Sequence, residues 1–121
     1  MGMVERDAAH QRAVAASRTP GLVLVTTEFV LIELADALCK PGQRDEVLAL
    51  WNLVETDPAF RLVSVSSEWT QRARKLYRER PDKEWPLTDC LSFVVMQEQG
   101  LSEALTADHH FQQAGFKALL A

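Results

Sequence analysis

Four short apolar runs, set apart by segments of helical length, restrict this chain's fold more than any other feature. Leu22-Val23-Leu24-Val25 has the pattern of a strand buried on both faces, and Leu62-Val63-Ser64-Val65 reads as a second strand. Ala104-Leu105-Thr106 reads as a third strand and Phe116 to Leu120 as a fourth. Between them, Glu28 to Leu38 is rich in Leu and Ala and favours helix until Pro41-Gly42. Arg44 to Glu55 predicts a second helix ending before Asp57-Pro58. Ser66 or Ser67 can cap a helix reaching about Arg80, Asp89 to Gln99 predicts another, and His110 to Ala114 a short helical turn. Ahead of all these, Met3 to about Arg18 is a periodic segment carrying Val4, Ala8, Ala15 and Ala16, closed by Thr19-Pro20-Gly21. Strands alternating with helices imply βα units and a mainly parallel α/β sheet. No repeat, low-complexity tract or linker divides residues 1–121, so one domain is expected.

At 121 residues, 47% apolar and 25% charged, the chain can bury a core without disulfide or metal staples. No apolar run approaches a membrane span, and Met-Gly-Met-Val-Glu-Arg-Asp lacks a basic-then-apolar signal pattern, which makes a cytoplasmic location the expectation. Cys39 and Cys90 fall in predicted helices with apolar surroundings and no ligand spacing, so both read as reduced core residues. The formal net charge of -4 argues against a protein that holds nucleic acid by diffuse positive charge. It leaves room for a nuclease whose carboxylates cluster around divalent cations, because the ions supply the missing positive charge. The basic run Arg72, Arg74, Lys75, Arg78, Arg80 and Lys83 fits either a solvated helix face or a phosphate-contacting patch.

Two carboxylates stand at the ends of regular elements. Asp89 follows Thr88, a plausible helix cap, and Asp108 follows the strand-like Ala104-Leu105-Thr106. Acids at strand carboxyl ends and helix starts lie where an open α/β sheet keeps its ligand crevice. Glu33 lies within Val30-Leu31-Ile32 and Leu34-Ala35, where an ionised side chain aimed inward needs a partner or a metal. Each acid also has an ordinary explanation: a wetter helix edge for Glu33, a favourable dipole for Asp89, a loop or cap for Asp108. Their common position after strands predicts convergence on one metal-binding acidic pocket.

The blocks Leu87-Thr88-Asp89-Cys90-Leu91-Ser92-Phe93 through Val95-Met96, then Gly100, Ala104-Leu105-Thr106, Asp108, His110-Phe111 and Ala114-Gly115-Phe116, resemble the PIN-domain nucleases. The likeness is greatest to the VapC-like toxins of bacterial type II toxin-antitoxin systems, with further support from Val25-Thr26-Thr27, Leu31 and Glu33. It implies a three-layer α/β sandwich and a metal-dependent ribonuclease in which Glu33, Asp89 and Asp108 are the matched acids. The family normally opens with a short central strand ending in an aspartate. Here Met3 to Ala13 resembles the segment after the family's first helix, so Asp7 is not that acid, and the first strand is expected to be missing. A start assigned too far downstream, a shortened chain or gene decay would each account for that.

For such a site, Mg²⁺ or Mn²⁺ held by Glu33, Asp89 and Asp108 would activate water against a phosphodiester. Thr88 and Thr106 are candidates for hydrogen bonds that orient the acids, and Ser92 shares Asp89's helix face. His109 and His110 are expected in packing or loop roles, since adjacent histidines point different ways. Two function classes follow: an endoribonuclease toxin neutralised by a small antitoxin, or a silent module binding antitoxin or RNA without cutting. A phosphatase or phosphotransferase of another α/β fold is disfavoured, since no strand ends in Asp-x-Asp. A homodimer is expected through Glu28–Leu38 and Val47–Val54, with Trp51 as an apolar anchor.

Overall fold

The computed structural model describes residues 2–5, 14–15 and 18–120. Its elements run β1 (Gly2–Val4), β2 (Leu24–Thr27), α1 (Glu28–Ala37), α2 (Pro41–Thr56), β3 (Phe60–Val63), α3 (Ser67–Glu79), α4 (Leu87–Glu98), β4 (Glu103–Leu105), α5 (His109–Gln113) and β5 (Lys117–Ala118). The strands form one sheet in the order β3-β2-β1-β4-β5, and every neighbouring pair is parallel. Helices cover both faces, which is the expected three-layer α/β sandwich.

The expectation of a missing central strand is overturned. Gly2–Val4 occupies the middle of the sheet, pairing Gly2 with Leu24 and Met3 with Val25 on one side, and Met3 with Ala104 and Val4 with Leu105 on the other. Periodicity had placed these residues at the start of a helix-like segment. What decides against it is the ladder: β2 and β4 each present backbone N–H and C=O groups that need partners, and a strand between them satisfies both edges. Asp7, His10 and most of the remaining periodic segment lie outside the described residues.

Side chains alternate across the sheet. Met3, Val25 and Ala104 enter a core completed by Ala73 of α3, Phe93 and Met96 of α4, and Phe111 of α5. Val4 and Leu24 enter a second core beneath Leu31 and Leu34 of α1 and Val47, Leu50 and Val54 of α2. Helix α4 is buried at eight consecutive positions, Asp89 to Met96, so its polar members Asp89 and Ser92 are held inside the protein.

Local chemistry fixes the helix ends. Thr27 Oγ1 accepts from the Val30 amide at 3.4 Å and Ser66 Oγ from the Trp69 amide at 3.2 Å. Pro41, expected to stop one helix, instead opens the next, where its missing N–H and fixed φ cost nothing. Pro86, rather than Thr88, precedes the first turn of α4, and no side chain caps it. Gly100 (φ 66°) and Gly115 (φ 93°) close α4 and α5. In those turns the Leu101 amide donates to Met96 O at 2.8 Å and the Phe116 amide to Phe111 O at 2.9 Å. Cys90 is buried as expected, whereas Cys39 is exposed just beyond α1, where the chain has already left the helix.

Candidate functional site

A cavity of about 310 Å³ opens at the carboxyl edge of the sheet, lined by Glu5, Glu33, Pro86, Asp89, Thr106, Asp108 and Phe111. Glu5 immediately follows β1. That strand end is anchored by Thr26, whose hydroxyl donates to the Val4 carbonyl at 3.2 Å. Glu5 is only 7% exposed, and Ser92 Oγ donates to its Oε1 at 3.2 Å across from α4. Glu33 projects from α1, the helix that β2 feeds, and is half-buried. Asp89, 7% exposed, comes from the first turn of α4. Asp108 caps α5, its Oδ1 accepting from the His110 amide at 2.9 Å, while its own amide donates to Thr106 Oγ1 at 3.0 Å.

The three acids singled out in the sequence therefore share one cavity. Thr106 and Ser92 support it, one through the Asp108 backbone and the other through Glu5. Thr88 is half-buried and is not part of the lining. Sequence reasoning missed two residues. Glu5 lies in the segment whose sequence resembles the stretch after the family's first helix, and only the pairing of Met3 and Val4 with strands far along the chain brings it to the sheet's edge. His110 was assigned to packing, yet its Nδ1 lies 3.1 Å from Asp89 Oδ2 and 3.2 Å from Asp108 Oδ1. Its neighbour His109 is exposed, with Nδ1 3.6 Å from Asp108 Oδ1.

Burial pushes the Asp89 carboxyl up to about 6, against the lowering effect of the His110 hydrogen bond, and the nearby charges of Asp108 and Glu33 add to the rise. Among the described residues, four carboxylates line this cavity, and His110 stands beside two of them. Such an oxygen-rich donor set, drawn from four separate elements, fits a hard divalent cation.

The profile of the PIN domain matches residues 2–117. The chain belongs to the PIN-domain family. Among solved structures, this PIN domain is similar to the Mycobacterium tuberculosis VapC20 toxin, described as cleaving the sarcin-ricin loop. The TM-score is 0.79 at 22% sequence identity, over 96% of each chain. No curated protein matches it. Among the described residues of this PIN domain, no helix is long and apolar enough to cross a membrane.

Proposed function

We propose that this PIN domain is a divalent-metal-dependent endoribonuclease, the toxin of a type II toxin-antitoxin pair, working in the cytoplasm and held in check by a small antitoxin. The observation that carries this reading is the meeting of Glu5, Glu33, Asp89 and Asp108 in one cavity. Family membership supports a nuclease, and the shared fold with a toxin described as cutting the sarcin-ricin loop supports RNA as the substrate.

In this reading Glu33, Asp89 and Asp108 would hold Mg²⁺ or Mn²⁺, and Glu5 would supply the fourth carboxylate from the end of the central strand. A bound divalent cation lowers the pKa of an attached water and stabilises the leaving oxygen of a phosphodiester. The protein's share is placement. Ser92 keeps Glu5 turned toward α4, Thr106 holds the Asp108 backbone, and His110 sits between Asp89 and Asp108. The sheet and its helices bring the carboxylates together before substrate arrives, which is how geometry contributes to rate.

A second reading is a module that binds antitoxin or RNA without cutting. It is favoured by Glu5, a glutamate where the family has an aspartate, with one carboxylate oxygen engaged by Ser92. A fluorescent-RNA assay with Mg²⁺, Mn²⁺ or EDTA separates the two. Cleavage that EDTA stops and that Glu5→Gln lowers at least tenfold supports the nuclease with Glu5 in its site. Absence of cleavage with either metal supports the silent module.

A further inference from the structure

A second cavity, about 490 Å³, lies beside the acidic one, and Pro86 lines both. The first turn of α4 divides them: Asp89 faces the acidic cavity, while Leu87 and Cys90 face the other. We propose that this second cavity is a nucleotide subsite, receiving the base and phosphate next to the scissile bond of a single-stranded RNA. The proposal rests on the nuclease reading and adds where the substrate's neighbouring residue sits.

The walls have the chemistry a nucleotide requires. Tyr77 is 55% exposed and Leu87 44%, two large apolar side chains left in solvent at the mouth of one cavity. An aromatic ring beside apolar surface is a stacking platform that tolerates any base, because every base has a π-face. Trp85 forms the buried side and is fixed in place. Its Nε1 donates to Gln113 Oε1 at 3.0 Å and its ring meets Phe93 edge-on at 5.1 Å. The Arg80 guanidinium lies 5.3 Å from the Trp85 ring centroid and donates twice to Asp82, each at 3.0 Å. The cavity is therefore built before any ligand enters, which lowers the ordering cost of binding.

The wall also carries a candidate phosphate contact. Arg80 is committed to Asp82, whereas Lys83 makes no ion pair among the described residues, although Glu84 shares the wall with it and Asp82 feels its charge. Lys83 is therefore a cation one cavity away from the acidic site. Each phosphate of a strand that follows this surface needs a positive counterpart. At the acidic cavity a metal would supply it, and one step along the strand Lys83 would.

The test uses the full chain carrying Asp108→Asn, so that binding is read without cleavage. A short single-stranded RNA containing 2-aminopurine is titrated, with the base's fluorescence as readout. Tyr77→Ala is expected to weaken binding about tenfold and remove the stacking quench. Lys83→Ala is expected to weaken it and reduce the salt slope by about 1, with Lys83→Arg restoring the slope. Both sites are at the surface, and unchanged thermal melts confirm that the variants are folded. RNA binding indifferent to Tyr77 and Lys83 overturns the subsite, and wild-type cleavage under the same conditions would show that the nuclease reading survives that result. Loss of the quench to an acidic peptide but not to unlabelled RNA also overturns it, in favour of a protein occupant.

Discussion

His110 Nδ1 stands 3.1 Å from Asp89 Oδ2, joining the first turn of α5 to the first turn of α4. The same nitrogen is 3.2 Å from Asp108 Oδ1, so one imidazole spans two carboxylates that would otherwise repel. Groups that orient metal-binding carboxylates typically change metal affinity by about 10- to 100-fold when lost. His110→Ala should weaken Mn²⁺ binding, measured calorimetrically, by roughly that factor. His110→Asn, whose amide can donate from near the Nδ1 position, should recover most of it. Equal affinity in the alanine variant and wild type would show that His110 only fills space.

Asp89 gives the metal-free protein a defined pH dependence. Its folded pKa of about 6 lies above the ordinary aspartate value of 3.8, so the native state binds this proton more tightly than the unfolded chain. Its contribution to stability therefore falls as pH rises from about 4 to about 6, and the penalty is complete at neutral pH. In EDTA, Asp89→Asn should raise the melting temperature at pH 7 and flatten the decline across that window. A variant that melts lower than wild type at pH 7 would contradict the assignment of strain to this carboxylate.

Cleavage should respond in the opposite sense. Asp89→Asn and Asp108→Asn should each abolish metal-dependent RNA cutting while leaving the fold intact. Circular dichroism and the fluorescent-RNA assay, run on the same preparations, check both halves. Retained cutting in either variant would remove that residue from the catalytic set.

Phe93 is the centre of the aromatic core. Its ring centroid lies 5.1 Å from Trp85, 4.9 Å from Phe111 and 5.7 Å from Phe116. Phe93→Ala should cost about 3–5 kcal/mol in urea unfolding, since it removes burial and leaves a cavity that three rings cannot collapse to fill. A loss under about 1 kcal/mol would mean that the surrounding rings repack freely.

Helices α1 and α2 expose Phe29, Ile32 and Leu48, the last at 63%, whereas Trp51 is half-buried against the second core. These three form the better candidates for a dimer anchor. Sedimentation at micromolar concentration should give a homodimer that Leu48→Asp converts to monomer. A wild-type monomer at tens of micromolar would end the proposal.

Most of the sandwich was legible because apolar runs and capping residues are local signals. Leu22–Val25 and Leu62–Val65 mark β2 and β3 to within two residues, and Ser66 caps α3 as expected. What escaped was set by contacts distant in sequence. Gly2–Val4 becomes a strand through partners more than twenty and a hundred residues away, and nothing in three residues announces that. Asp89 and Asp108 could be placed from the elements ahead of them. Glu5 and His110 join them through Ser92 and through the fold of α5 over α4, relations that periodicity does not carry.

The brevity of β1 ties the two halves of the interior to the acidic cavity. Met3 packs on the α4 side and Val4 on the α1 side, and the next residue is Glu5. With so few ladder bonds to resist movement, a change of volume in either core can shift the strand end and tilt that carboxylate. Distant packing substitutions can thus act as tuning screws on the site, and amide exchange at Met3 and Val4 would register a ligand settling there.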